Sequence, residues 1–250
     1  MKKKFRVYDL IIAVLVLITV TAGFMFVRGY IIGKREQGEF EDIADLVTEV
    51  IPEPDDDTGA DDAPLEVTRD ISAVLKSNSD CIGWIYVKNT IINYPVMHTP
   101  NEAEKYLHLS FYKKQSRAGT PFLDEQCDPN ASMNTIIYGH NMKNGTMFHQ
   151  LKRYRNKTYA LENPIIEYQT AAGSRKFRVF AVCEVAGNDS WYTFKSDVDE
   201  ATYNAKIQRI KSKDLFETGI TPVYPQKIIT LSTCKDGTNE GRILVLGVEE

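Results

Sequence analysis

The chain is poor in the residues that build metal centres and cross-linked scaffolds. Four cysteines in 250 residues, Cys81, Cys127, Cys183 and Cys234, make no disulfide framework, and no CxxC pair occurs. The four histidines, His98, His108, His140 and His149, form no HxxxH-type ligand pattern, which argues against a structural zinc. A formal net charge of −4 gives no reason to expect nucleic-acid binding. There is no internal repeat, and the one biased tract is acidic: residues 51–64 read IPEPDDDTGADDAP. Prolines and clustered aspartates bury little surface, so a solvated linker is expected there.

What is present first is one long uncharged run, Leu10 to Val27. At about 1.5 Å per residue it reaches roughly 27 Å, near the lower limit for a bilayer span. Lys2, Lys3, Lys4 and Arg6 precede it; Arg28, Lys34 and Arg35 follow. That bias favours an N-terminus held inside the cell and the rest outside. A cleaved signal peptide is the alternative, with Val20-Thr21-Ala22 as a poor cleavage site, but the run exceeds the usual length of such segments. Phe40, Ile43, Leu46, Val47 and Val50 fall at helical spacing within 31–50. The expected organisation is a cytoplasmic tail over 1–9, a transmembrane anchor over 10–27, an extracellular stalk with a short helix over 28–64, and a folded domain over 65–250 that is stable without them.

The chain as a whole is 43% hydrophobic, enough for a core. A helix is expected over Leu65–Lys76. Strand-like segments then recur at 83–88, 90–96, 119–124, 134–139, 165–170, 175–186, 227–233 and 242–248, rich in Ile, Val, Tyr and Phe and broken by Asn, Gly, Pro and Asp. Eight short strands at uneven spacing indicate a mainly β fold, a barrel rather than a doubly wound sheet. Helices interrupt them at Thr146–Tyr154 and at Asp199–Lys211, where Tyr203, Ile207 and Ile210 share a face. Cys183, in the alternating run Phe177–Cys183, reads as a small core residue. Cys81 and Cys127 either pair or stay free.

Two segments carry chemistry: Tyr138-Gly139-His140-Asn141 and Thr230-Leu231-Ser232-Thr233-Cys234, with Arg242 eight residues after the cysteine. Cys234 ends one strand and Arg242 opens the next, so adjacent strands would carry a thiol and a guanidinium side by side. A lone cysteine at a strand end is by default a buried small residue, a lone arginine a surface ion pair, and a histidine in a turn a polar loop residue. Together they make a set: Cys234 as nucleophile, His140 as general acid and base, Arg242 as oxyanion stabiliser, with the backbone N–H after His140 or Cys234 assisting. Gly139 would allow a tight backbone path before the histidine.

These segments resemble the active-site signature of the sortases, cysteine transpeptidases of Gram-positive cell surfaces. The resemblance spans roughly residues 70–248. It includes Gly83-Trp84-Ile85, the run Ile91–Val96, Gly119-Thr120-Pro121-Phe122-Leu123-Asp124, and His140-Asn141-Met142 leading to Met147-Phe148. The last of these, with the helical insert before the cysteine strand, is most similar to class B. The resemblance implies a sortase-like eight-stranded β-barrel with N-terminal helices and a long helix before the cysteine strand. It implies cleavage of a C-terminal sorting motif after Thr, NPxTN-like or (S/P/N)PxTG-like, through a Cys234 thioester. A peptidoglycan or lipid-linked precursor amine would then take the acyl group, with no cofactor, no metal and a monomeric enzyme. Class A relatives use calcium; no acidic cluster in the catalytic part requires it.

Groove residues are also implied. Asn101, Tyr106 and Leu107 match a region near the substrate groove, or else a solvent-facing helix with its apolar side on the barrel. Ser232 and Thr233 line the groove or are ordinary strand residues. Trp191 and Tyr192 are substrate contacts or core plugs. Lys235 stands where family members often carry an acidic residue. The competing functions are a hydrolytic cysteine peptidase using the same residues and a non-catalytic stalked surface protein. An L,D-transpeptidase fits poorly, since no glycine precedes Cys234 and the dipeptide here is Gly-His.

Overall fold

The computed structural model describes residues 7–50, 68–235 and 240–250. Residues 1–6 of the expected tail, the linker at 51–64 and the start of the expected Leu65–Lys76 helix lie outside them. The chain divides into two compact units, Met1–Glu39 and Phe40–Glu250. The first is the bulk of one helix, α1 (Val7–Ala44), whose apolar residues from Val7 to Ile31 are largely exposed. By length and composition α1 suffices to cross a membrane.

The second unit begins earlier than the expected boundary at residue 65. Phe40 and Ile43 are buried in its core, and the Phe40 ring meets Tyr94 edge-on at 5.3 Å. The helical apolar face read in 31–50 is therefore used for packing at Phe40 and Ile43. β1 (Thr48–Val50) pairs antiparallel with β2 (Thr68–Asp70). The helix expected over Leu65–Lys76 is confined to α2 (Ser72–Ser77), because Thr68–Asp70 is taken by that pairing.

The eight expected strands are all present: β3 (Cys81–Val87), β4 (Asn93–Met97), β5 (Phe122–Leu123), β6 (Asn134–Tyr138), β7 (Ile165–Thr170), β8 (Gly173–Ala186), β9 (Ile228–Cys234) and β10 (Gly241–Glu249). They close into a barrel in the order β10-β8-β7-β3-β4-β5-β6-β9, with β9 pairing back to β10. β4–β5 and β6–β9 are the parallel pairs. The insert expected as a helix over Thr146–Tyr154 is a 3₁₀ turn, Phe148–Arg155, followed by α3 (Lys157–Glu162), which Asn156 caps through its side chain. α4 (Glu200–Lys211) is capped by Asp199 in the same way.

Burial patterns follow from what covers each face. β7 alternates half-buried and buried, with Ile166 and Tyr168 inward. β9 is buried along both faces up to Cys234. Its odd residues Ile229 and Leu231 join Ile243 and Val245 in the main core. On the other side Ile228, Leu244 and Leu246 pack with Trp191, Tyr203, Ile207 and Ile210 in a second core under α4. Even-numbered residues of β9 and β10 thus share the α4 side, and Cys234 and Arg242 are even-numbered.

Candidate active site

Cys234 lies directly opposite Arg242 in the antiparallel β9–β10 pair. Opposed residues project to one face, with Cβ atoms about 4.5–5.5 Å apart. On the other side of β9, β6 runs parallel, with Tyr138 in register with Ser232. The ladder continues with the Gly139 N–H donating to the Ser232 carbonyl at 3.1 Å. β6 ends at Tyr138, and His140, two residues on, leaves it at the end of the sheet where β9 ends in Cys234. His140, Cys234 and Arg242 line one cleft of about 360 Å³, with Leu107, Tyr138, Tyr192, Ser232 and Thr233 among the other lining residues.

Gly139 makes room rather than a turn. Its φ is not in the left-handed region, unlike those of Gly119, Gly145, Gly173 and Gly219. A Cβ there would stand 2.6 Å from the buried Phe148 ring. The Phe148 N–H donates to the His140 carbonyl at 2.9 Å, so the ring is tied to the same loop.

His140 is half-buried, with Nε2 2.8 Å from the Leu107 carbonyl and its ring stacked on His108 at 5.9 Å. Burial lowers its proton affinity, the Leu107 carbonyl works against that, and His108 adds to the lowering. Arg242 Nη1 donates to the Gly241 carbonyl at 3.2 Å. The Lys235 N–H donates to the Gly241 carbonyl at 2.9 Å. The backbone N–H after the cysteine therefore closes the β9–β10 hairpin instead of facing an oxyanion.

Asn141 ties the His140 loop to the end of β9. Its Nδ2 donates to the Cys234 carbonyl at 2.7 Å and the Lys235 carbonyl at 3.3 Å, while its Oδ1 meets His149 Nδ1 at 2.8 Å. The sequence does not reveal this bond, because Asn141 and Cys234 lie 93 residues apart. The Lys235 side chain pairs with Glu184, which also accepts from Arg155 Nε at 2.7 Å. Lys235 thus has its own carboxylate partner.

The remaining expected groove residues separate. Leu107, Tyr192, Ser232 and Thr233 line the cleft; Tyr192 Oη meets Ser232 Oγ at 2.8 Å, and Thr233 Oγ1 donates to the Gly139 carbonyl at 2.7 Å. Trp191 is a core residue: it is fully buried, and its Nε1 donates to Thr230 Oγ1 at 3.0 Å. Thr230 in turn donates to Asn134 Oδ1 at 2.7 Å. Tyr106 is buried too, donating through Oη to Asp80 at 2.8 Å. Asn101 is exposed in a turn outside the cleft lining.

All four cysteines are free, so Cys81 and Cys127 do not pair. Burial pushes the Cys81 thiol up to about 11 and raises Cys127 and Cys183 as well. Buried neutral thiols are poor nucleophiles. Cys234 is half-buried and faces the cleft. Among the described residues no group of three or more His, Cys, Asp or Glu is placed to hold a metal ion.

The sequence matches the Sortase domain family model over residues 85–250. The chain belongs to the sortase family. It is 30% identical over 186 residues to Sortase B of Listeria monocytogenes, covering 73% of this chain and 74% of that protein. It is 27% identical over 238 residues to Sortase B of Staphylococcus aureus, covering 94% of this chain and 92% of that one. Among solved structures, sortase B of Clostridium perfringens is similar with a TM-score of 0.67 at 30% identity, covering 72% of this chain and 100% of that chain. A Staphylococcus aureus sortase B–substrate complex gives a TM-score of 0.66 at 28% identity, covering 72% and 83%. These relatives place the sortase in class B, as a cysteine transpeptidase that anchors surface proteins. Its substrates carry sorting signals and its acceptor is a cell-wall amine.

Proposed function

We propose that Cys234 attacks the Thr carbonyl of a C-terminal sorting motif, NPxTN-like or (S/P/N)PxTG-like, and carries the acyl chain as a thioester. The arrangement that carries this reading is Cys234 opposite Arg242 across β9–β10, with His140 just past the end of β6 on the other side of β9 and all three lining one cleft. The thiol proton passes to His140 as the C–S bond forms. His140 returns it to the departing amine as the C–N bond breaks. An amine of peptidoglycan or its lipid-linked precursor then attacks the thioester, its proton passes through His140, and the Cys234 sulfur leaves. Arg242 offers a planar fork of donors to the oxyanion of each tetrahedral intermediate. Leu107, Tyr192, Ser232 and Thr233 line the groove in which the motif lies.

The enzyme acts as a monomer anchored by residues 10–27 of α1, with residues 1–9 inside the cell and the catalytic unit outside. The lysine-rich start supports that orientation. A library of sorting-signal peptides, assayed with and without a peptidoglycan-type amine, tests the whole reading. The expected result is an intact-mass adduct on Cys234 and an amine-dependent ligated product, both absent from Cys234→Ala. The same change at Cys81, Cys127 or Cys183 leaves turnover in place. Cleavage with no dependence on the amine would make the enzyme a hydrolase, and full activity of Cys234→Ala would remove the thioester route.

A further inference from the structure

We infer that the Leu107 carbonyl, seated against Gly119, is a positioning group that fixes His140 as its Nε2–H tautomer and leaves Nδ1 as the nitrogen that moves the proton. The inference rests on the reading of His140 as general acid and base. A carbonyl oxygen carries lone pairs and no hydrogen, so its 2.8 Å contact with Nε2 puts the hydrogen on Nε2. In the neutral imidazole the free lone pair is then on Nδ1. In the imidazolium both nitrogens carry hydrogen and the Leu107 bond persists. Nε2 keeps one partner through the cycle while Nδ1 alternates. It takes the thiol proton of Cys234, gives it to the departing amine, takes one from the acceptor amine and returns it to the Cys234 sulfur.

The carbonyl is splinted from behind. Leu107 ends a 3₁₀ turn, Lys105–Leu107, entered at Glu104 with φ 57°. Gly119, with φ +61°, runs against it, and a Cβ there would stand 2.5 Å from the Leu107 oxygen and 2.7 Å from that of Tyr106. Both the conformation and the space require glycine. The Thr120 N–H donates to the Tyr106 carbonyl at 2.9 Å, and Thr120 Oγ1 to the Leu109 carbonyl at 3.0 Å. The Ser116 N–H donates to the His108 carbonyl at 3.0 Å. Residues 116–120 thus brace 106–109 on both sides of Leu107. The titratable and charged groups around His140 are His108 on that turn, Glu104 at the cleft, Tyr138 on β6, Tyr192, Cys234 on β9 and Arg242 on β10.

The test uses the full chain in detergent micelles with ring-¹⁵N-labelled histidine, His140 being assigned by the signals lost in His140→Gln. Above the pKa of His140 the wild type is expected to show a protonated Nε2 and an unprotonated Nδ1. Gly119→Ala is expected to mix the tautomers, alter the pH profile of kcat and lower kcat about 10²-fold, the usual cost of an ångström-scale misplacement. Thr120→Val should move the same signals the same way, and Thr120→Ser, which keeps the hydroxyl, should restore them. If Gly119→Ala shows no cooperative melt, the wild-type spectrum and the Thr120 pair decide. An Nδ1–H tautomer in the wild type, or unchanged tautomer and kcat in folded Gly119→Ala, overturns the inference. Should His140→Gln remain inactive in that event, the positioning role alone fails; an active His140→Gln would instead remove the acid/base role.

Discussion

Gly139→Ala is the most informative single-atom perturbation, because it adds one methyl group beside His140 and nowhere else. The added Cβ would meet three atoms of the Phe148 ring at 2.6, 2.7 and 3.0 Å. Carbon atoms rest at about 3.5–4.0 Å, so roughly 1 Å of relief is needed. Phe148 is fully buried and tied by its N–H to His140, so the ring cannot swing clear. β6 is held to β9 by the ladder that reaches Gly139. The relief therefore comes from the His140 loop. Overpacking of this kind costs about 1–3 kcal/mol of stability. Displacing His140 by about 1 Å should cost about 10² in kcat, with KM far less affected because the groove walls stay in place. Steady-state kinetics with a sorting peptide and thermal melts of the full chain measure both. The double variant Gly139→Ala/Phe148→Leu should regain much of the lost kcat, because the smaller side chain removes the clash. A Gly139→Ala enzyme with wild-type melting and wild-type kcat would refute the steric argument.

Arg242→Lys keeps the charge but replaces a planar fork with a point charge, so kcat should fall about 10²–10³-fold, as for a lost oxyanion donor; near-wild-type kinetics would return Arg242 to the status of a surface cation. Asn141→Asp should be at least as damaging as Asn141→Ala, since a carboxylate cannot donate to the Cys234 and Lys235 carbonyls that Nδ2 serves; the loss is expected at about 1–3 kcal/mol in kcat/KM, and an active Asn141→Asp would show the clamp to be dispensable. Asp189 accepts from the Trp191 N–H through Oδ1 and pairs through Oδ2 with Arg209 at 2.9 Å and Lys213 at 2.8 Å. Burial raises its carboxyl pKa, but these partners outweigh it and hold it well below the ordinary 3.8. Its stabilisation is therefore complete above pH 3.8 and fades as pH falls through the lower folded value. Asp189→Asn should lose about 1 kcal/mol at neutral pH, with the gap to wild type closing in strong acid; melts at several pH values check this, and a gap that widens on acidification would contradict it.

The barrel was legible because its strands announce themselves by different rules that the sequence obeys. β7 alternates, and β9 is a near-continuous run of Ile, Thr and Leu closed by Cys234, as a strand covered on both faces should be. The three residues that meet in the cleft, His140, Cys234 and Arg242, were legible from two short segments and one offset. What was hidden depends on tertiary contact. Trp191 and Tyr192 are adjacent aromatics, yet one plugs the core under α4 and the other walls the cleft, a choice set by the side from which their 3₁₀ turn approaches β9. Six-residue α3 has too few turns to show a period. Phe40 and Ile43 announced a helical face but not what would cover it. Leu107 contributes a backbone oxygen, to which no side-chain pattern points.

The parallel pairing of β6 with β9 has a temporal consequence. Asn141 meets Lys235 across 94 residues of chain, and everything between them, including β7, β8 and α4, must be laid down before the two loops touch. Contacts of such long sequence separation form late in folding. A chain in which β9–β10 has not yet met β6 therefore holds Cys234 opposite Arg242 across a short hairpin but has no His140 beside them. The cleft that all three line is complete only when that hairpin is docked on β6. That three-residue constellation is thus assembled by closure of the barrel and by no single local segment.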